Sequence, residues 1–504
     1  MTTEGVRLSK FPVEIVDHIF SFLPLPDRKS ASLVCRLWNE LAFDDRYMRH
    51  VVINFSGWES SNKISYLRKS SRRYRNILAY LGRELHREIF FDIIIEVLDH
   101  IGSELRSFHC MALMSEKQLW SVISRVPKLE QLIVGFYTSS SRQQECFFPE
   151  LKNLKDLRLL ENVHQIQSLN IPALTQFSGN FSDSWDAKES LAALRRMAPQ
   201  LKRLELQSSE NFIPIDELQF PNVEKLELSG QIYQDASNSA LRALFSGFKC
   251  LKEVDLIFNT EQLVLDIITK ECPGIEKLHF ENHPLNPNSF SLLERLKRLE
   301  TLSLVVSIDT PIILESKPLV SVKRLCLQIY NMDADASVIK GLRKLLPNVN
   351  DVSVILATYF KPENVLDHIC RSFSHIKRIY ISHAWNPQLD GNLLGTLQHL
   401  DHLEELLLNG IHTPVELMVP NRHMKRLTLE HCRWLTDGNL LNLAQLYPNL
   451  KYLELVWCTK VTPRGLEKFR SVLADCVVYR VRSNPLRYTD SKHQQLKFFL
   501  SWIL

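Results

Sequence analysis

The sequence predicts an α/β protein in two parts: an N-terminal all-α module of three short helices, then a solenoid with a curved parallel sheet inside and helices outside. Two observations carry most of this prediction. Between Leu8 and Leu41 apolar residues recur at three- and four-residue spacing, the period of helices with one apolar face. From about residue 105 onward one pattern returns, an apolar residue, two polar ones, then apolar-x-apolar, at steps of mostly 21 to 28 residues. Length agrees, because 504 residues exceed one compact core and call for several domains or an array of repeats.

In the N-terminal part Ile15, Ile19, Phe22 and Leu23 fall on one helix face, and Pro12 suits a first turn, where a missing N–H costs nothing. The segment Pro24-Leu25-Pro26-Asp27 ends that helix, and Asp27 is placed to cap the next. A second cluster follows at Leu33, Val34, Leu37, Trp38 and Leu41. A module of some forty residues is below the size at which one core closes, so its apolar surplus is expected to be buried against another polypeptide.

These residues carry a resemblance. FPVEIVDHIFSFLPLPD, followed by SLVCRLWNELAFDD, is similar to the F-box family, which opens with Leu-Pro-x-Glu, reaches Leu-Pro-x-x-Asp and closes on Val-Cys-x-x-Trp. Pro12, Glu14, Ile15, Ile19, Leu23, Asp27, Val34, Cys35 and Trp38 match it. Phe11 replaces the usual Leu, Arg28 and Lys29 stand where members carry aliphatics, and Tyr47-Met48 stands for a closing Leu-Trp. The resemblance covers residues 6–50. It implies docking on a Skp-type adaptor, and through it a cullin, by Phe11, Pro12, Ile15, Val16, Ile19, Leu23, Leu25, Val34, Cys35 and Trp38.

The repeated pattern stands as LEQLIV at Leu129, LKRLEL at Leu201, VEKLEL at Val223, IEKLHF at Ile275, LETLSL at Leu299 and LKYLEL at Leu450, among others. LTQFSG at Leu174 fills the 47-residue step between Leu154 and Leu201, and LRSFHC at Leu105 extends the register upstream. Val51-Val52-Ile53 and Asn76-Ile77-Leu78 are expected as earlier, weaker strands. Each L-x-L is a short strand with its leucines inward. Parallel strands need a crossover, supplied by helices such as Glu189 to Met197 or Asn439 to Tyr447. Ser115 with Gln118 and Asp186 with Glu189 have capping-box spacing, Thr462-Pro463 is a cap followed by proline, and helices stop before Pro127, Pro199, Pro273, Pro347 and Pro448.

A period in the twenties with this signature is that of the leucine-rich repeat, whose units bury their apolar faces only on their neighbours. Eight residues after the leading Leu such repeats place Asn or Cys to satisfy backbone groups. Asn162, Asn259, Cys432 and Cys458 stand there, with Ser209 and Ser307 as substitutes, while Ala357, Ala384 and Ile411 lack the bond. The last units resemble the cysteine-containing subtype of F-box leucine-rich proteins. The expected organisation is an F-box at 6–50, a linker with degenerate first repeats at 51–104, leucine-rich repeats at 105–484, and a terminal cap or tail at 485–504 whose Phe498 to Leu504 packs on the last repeat.

Composition narrows function. A net charge of +4, with 45% hydrophobic and 23% charged residues, describes a globular chain with no broad pull toward nucleic acid or anionic lipid. No run of eighteen apolar residues occurs, so no membrane span is expected. Glu4, Arg7, Lys10, Glu14 and Asp17 interrupt the first thirty residues, so no secretory leader is expected. Ten scattered cysteines without a C-x-x-C pair suit a reducing compartment, cytoplasm or nucleus, and make the N-x-S sites at Asn54 and Asn180 chance matches. Phosphate-binding glycine loops are missing from the sequence.

Cys432 and Cys458 are better explained as turn fillers than as metal ligands, His399 and His402 as a solvated face, and Cys35 as a small buried hydrophobe. No catalytic constellation, cofactor or metal is expected. The basic run Arg68 to Arg75 is read as a solvated face or loop ahead of a nuclear-targeting or phosphate-binding patch.

The concave face is the candidate for recognition. Lys225 and Glu227, Glu253 and Asp255, and Lys277 and His279 point onto it, as do Arg324, Asp351, Arg378 and their neighbours. Both signs alternate, which suits a protein partner with specific charge pairing more than nucleic acid. Arg378, Tyr380, Arg426, Tyr452, Glu454 and Trp457 are the expected substrate contacts. Together the two resemblances imply a non-catalytic substrate-recognition subunit of an SCF-type ubiquitin ligase. The alternative is a leucine-rich-repeat scaffold or inhibitor that acts without ubiquitin.

Overall fold

The computed structural model describes residues 12–23, 25–56, 60–70, 72–81, 86–137, 149–160, 169–181, 192, 194–208, 218–230, 238–257, 262–284, 289–306, 316–329, 336–356, 363–383, 394–411 and 418–481. Contacts divide the chain into two units, residues 1–207 and 208–504.

The first unit opens with α1 (Val13–Phe22), α2 (Leu25–Ala31), α3 (Arg36–Ala42) and the single turn α4 (Asp45–Met48), one helix more than expected. Pro12 precedes α1, and its carbonyl accepts from the N–H groups of Ile15 and Val16 at 3.0 and 3.3 Å. Asp27 lies inside the first turn of α2 instead of capping it, where its charge still favours the helix dipole. Asp44 caps α4 by accepting from the Arg46 N–H at 3.0 Å.

Strands β1 (Val52–Ser56), β2 (Asn76–Tyr80), β3 (Ser107–Ser115), β4 (Gln131–Tyr137), β5 (Asp156–Leu159) and β6 (Gln176–Phe181) follow, each parallel to the next. The Thr175 carbonyl accepts from Lys202 and Arg203, bringing β7 (Arg203–Ser208) alongside β6. β1, β2 and β6 fall on the weak repeats expected at residues 51, 76 and 174. Behind them α5 (Ser60–Arg68), α6 (Arg87–Ile101) and α7 (Glu116–Ile123) complete the crossovers. α6 buries Phe90, Phe91, Ile94, Val97 and Leu98, one continuous helical stripe. Ser115 and Gln118 form a reciprocal capping box on α7.

In the second unit each strand pairs in parallel with the next. These are β8 (Lys225–Ser229), β9 (Glu253–Ile257), β10 (Lys277–Pro284), β11 (Thr301–Val306), β12 (Arg324–Ile329), β13 (Asp351–Leu356), β14 (Arg378–His383), β15 (Glu405–Asn409), β16 (Arg426–Glu430), β17 (Tyr452–Val456) and β18 (Val477–Val481). Register places leucine on leucine: Leu302 faces Leu325, which faces Val352. Leu226, Val254, Leu278, Leu302, Leu325 and Val352 are completely buried. This is the leucine-rich-repeat solenoid. Thr462 caps helix Pro463–Val472 with proline at its start, as its sequence predicts, and Thr436 with Asn439 forms a capping box on Asp437–Leu446 that the sequence reading missed.

Cys432 Sγ donates to the Glu430 carbonyl at 3.4 Å and Cys458 Sγ to that of Leu429 at 3.3 Å, so both fill turns. Ile411 has no polar side chain to make such a bond, and its own carbonyl accepts from the Trp434 indole at 2.6 Å. In β18 Arg480 stands opposite Leu455 and donates to the Val461 carbonyl, so a cation interrupts the leucine column there. Asn162, Asn259, Ser209, Ser307, Ala357, Ala384, the Asp186–Glu189 cap, most of the helix expected at Glu189 to Met197, and residues 482–504 lie outside the described residues. Among the described residues no helix is long and apolar enough to cross a membrane.

Candidate functional site

α1 is apolar on two adjacent stripes, and the module covers only one. Val16 and Phe20 form its core with Ala42, and Leu23, Trp38, Leu41, Phe43 and Tyr47 pack around them. Trp38 meets Phe20 edge to face at 5.4 Å between ring centroids. The other stripe stays in solvent: Ile15, Ile19 and Phe22 are 47%, 44% and 72% exposed. Beyond α2, Leu33 and Val34 are 86% and 55% exposed, and Val13 and Leu37 are also open. Fully burying one such side chain is worth about 1.5–3 kcal/mol, so this face holds a large unspent driving force for association.

The residues expected to dock an adaptor therefore divide. Pro12, Ile15, Ile19, Val34 and Cys35 are exposed; Val16, Leu23 and Trp38 turn inward to the module's own core; Leu25 is half-buried. Phe11 lies outside the described residues. Cys35 is not the buried hydrophobe expected, because it stands exposed at the start of α3. Phe22, Leu33 and Leu37, marked in the sequence as apolar-face residues but not assigned to docking, join the exposed face, as does Val13, which was not singled out.

The departures from the family pattern are accommodated by packing. Arg28 is buried with its guanidinium 4.6 Å from the centroid of the Tyr47 ring, a cation on an aromatic face. The Tyr47 hydroxyl donates to the Asp17 carboxylate and carbonyl, at 2.8 and 2.7 Å, and burial together with that bond pushes the phenol up to about 12. The basic run is likewise used internally. Arg68 pairs with Glu96, Arg75 pairs with Asp45, and Arg72 lies 3.3 Å from the Phe43 ring centroid, tying the helices to the first strands.

On the sheet the alternating charges pair sideways, strand to strand. Lys225 binds Glu253 and reaches Asp255 at 3.0 Å, and Lys277 reaches Glu253 at 2.9 Å. Asp351 accepts from Arg324 and Arg378, at 2.8 and 3.1 Å. Glu227 and Asp255 are buried, as are Thr301 and Ser303, so this stretch of the face offers little to a partner, contrary to expectation. Burial raises the Glu253 carboxyl, but Lys225 and Lys277 outweigh it and hold it near 2. Glu253, Asp255 and His279 bring ligand atoms within 4.8 Å of one another. The Lys225 and Lys277 ammonium groups already balance the two carboxylates, so the residues fit an ion-pair cluster better than a cation site.

Among the expected substrate contacts, Arg426, Tyr452 and Glu454 come together on β16 and β17, with Trp457 in the turn that follows β17. The Arg426 guanidinium lies 4.9 Å from the Tyr452 ring, and Thr428 donates to Glu454 at 3.4 Å. Arg378 and Tyr380 stand two strands away on β14, where Tyr380 accepts from the Asn409 amide at 3.3 Å. Trp457 stacks on His431, centroids 5.9 Å apart, and both hold positive φ, 58° and 55°. His431 and Tyr479 were missed, and only register and backbone conformation reveal them. His399 is half-buried against Asp367 at 3.2 Å, while His402 is exposed.

The helical module matches the model of the F-box-like family over residues 8–54. Among curated proteins none matches the chain. Similar solved structures include a TLR13–ssRNA13 complex (13% identity, TM-score 0.40), 83% of this chain covering 64% of that one. The leucine-rich-repeat protein LegL7 of Legionella pneumophila is 14% identical at TM-score 0.36, with 64% and 98% covered. The yeast Rad7–Elc1 complex is 12% identical at TM-score 0.28, with 90% of each chain covered. The chain spans just under two thirds of the first of these, and all three are too distant to bear on its function.

Proposed function

Because this chain is an F-box protein carrying leucine-rich repeats, we propose that it is the substrate-recognition subunit of an SCF-type ubiquitin ligase. The observation that carries this is the uncovered apolar face of Ile15, Ile19, Phe22, Leu33, Val34 and Leu37 on a module whose own core is already complete without it. In this reading the face docks on a Skp-type adaptor and through it a cullin. The repeat surface around Arg426, Tyr452, Glu454 and Trp457, with Arg378 and Tyr380, holds a target protein for ubiquitination and degradation in the cytoplasm or nucleus. The chain supplies proximity and no bond chemistry: tethering raises the effective concentration of the target's lysines near the loaded conjugating enzyme.

The test is co-purification with adaptor and cullin. Ile15→Asp with Leu33→Asp puts two charges on the open face and is expected to abolish capture. Because both side chains already lie in water, stability should stay within about 0.5 kcal/mol. Trp38→Ala loses capture for a different reason, unfolding the module by about 2–3 kcal/mol. Full adaptor capture by the folded double variant would sink the proposal and leave a repeat scaffold.

A further inference from the structure

A groove of about 1050 Å³ opens in the first unit, between α2–α3 and the β1–α5 segment. Its walls are apolar where Val52, Ile53 and Tyr66 line it, and its rim is basic at Lys29, Lys69 and Arg73. These cations come from two separate elements, α2 and the 69–73 segment, and all three are exposed.

Their neighbours in the basic run have structural work, since Arg68 holds Glu96, Arg72 covers Phe43 and Arg75 holds Asp45. Lys29 and Lys69 make no ion pair among the described residues, and Arg73 acts on Glu104 only at longer range. The groove also carries Glu40 and Asp45, but Asp45 is already held by Arg75. Convergence of like charges over an apolar floor costs free energy unless a counter-charge arrives, and such a potential attracts and orients an anionic partner.

We infer that this groove is a second protein-binding site, taking an acidic peptide segment whose apolar side chains settle on Val52, Ile53 and Tyr66 while its carboxylates meet Lys29, Lys69 and Arg73. A peptide fits better than a compact anion because the floor is apolar and the cavity reaches the size of sites that enclose several side chains. Of the described adaptor contacts only Leu25 lines the groove, and Ile15, Ile19 and Phe22 do not, so the site goes beyond adaptor docking and beyond the repeat surface.

The test uses the full chain and two fluorescein-labelled peptides of glutamate, leucine and serine, or of lysine, leucine and serine, followed by fluorescence anisotropy at low and high salt. The glutamate peptide is expected to bind, with affinity falling as salt rises, and the lysine peptide to bind at least about tenfold more weakly. Lys29→Glu with Lys69→Glu and Arg73→Glu should cost at least about tenfold in affinity with unchanged melting. If that triple variant fails to fold, Lys29→Glu and Lys69→Glu singly should each cost about two- to threefold. Ile15→Asp should leave peptide binding intact, which separates this site from the adaptor reading. Equal affinity for the two peptides, no binding by the unaltered chain, or folded charge-reversed variants that bind as before would each overturn the inference.

Discussion

The helical module and the repeats of the second unit are built from the same aliphatic side chains and end with opposite surfaces. In the repeats Leu278, Leu302, Leu325 and Val352 of the inward column each face the equivalent apolar residue of the next strand, and all are completely buried. In the module Val16, Phe20 and Ala42 close a small core, and Ile15, Ile19, Phe22, Leu33 and Val34 are left largely in water. Apolar content therefore does not decide what is buried; the presence of a repeating neighbour does. A repeat brings its own partner, whereas a lone helical module of this size needs one from outside.

The largest effect should come from truncating one apolar side chain in each of the two places. Leu302→Ala removes a completely buried leucine held between Leu278 and Leu325, where the surrounding strands cannot collapse, and should cost about 3–4 kcal/mol in urea denaturation. Phe22→Ala, a larger truncation, removes a ring already 72% exposed and should cost under about 0.5 kcal/mol. Comparable losses at the two positions would mean that the face of α1 is covered within the chain, and the contrast would vanish.

Next in size, pH should separate the two regions. Glu253 is held near 2 by Lys225 and Lys277 against the upward pull of burial. A depressed carboxyl contributes stability that is present above its ordinary range near 4.5 and is lost as pH falls toward 2. Lys225→Met should therefore cost about 2 kcal/mol at neutral pH, and its penalty should shrink below about pH 3 as the unaltered protein loses the same interaction. In the module the sign is reversed. Burial, then the Asp17 bond, raises the Tyr47 phenol to about 12, so its contribution is intact below about 10 and is lost as pH rises through 12. Melting followed by probes local to each region, from pH 2 to 12, should show the repeats loosen at the acid end and the module at the alkaline end. A single shared pH profile would merge them.

How much of this was legible depended on whether a feature is local. The repeat period is fixed by the strand-plus-crossover length, so even the weak strands at residues 52, 76 and 176 could be placed from sequence. The apolar face of α1 was legible as well, but not which of its two stripes the module covers. That is settled by Trp38 of α3, which closes on Phe20 and so claims Val16 and Leu23 for the interior. The charges on the sheet were read correctly as alternating and incorrectly as available. Their lateral pairing exists only once Lys225, Glu253 and Lys277 stand side by side in register. Arg28 looked like a defect in sequence because the ring that receives it, Tyr47, is nineteen residues away.

The smallest expected effect is the most informative about recognition. The seventh residue after the leading apolar position turns out of the strand with positive φ in several repeats: Gly230 at 109°, Gly410 at 67°, His431 at 55° and Trp457 at 58°. Glycine meets that requirement without strain, while a residue with a Cβ costs about 1 kcal/mol there. Trp457 stands at such a position with only a stack on His431, worth about 0.5–1.5 kcal/mol, to offset it. Trp457→Gly exchanges one term for the other and should leave stability within about 1 kcal/mol of the unaltered chain. If the indole is instead retained to meet a target, the same change should lower the yield of target crosslinked to the repeats while adaptor capture stays constant. A drop of several kcal/mol in stability would make Trp457 a pillar of the last turns, on the same footing as the buried leucines, and would remove it from the recognition surface.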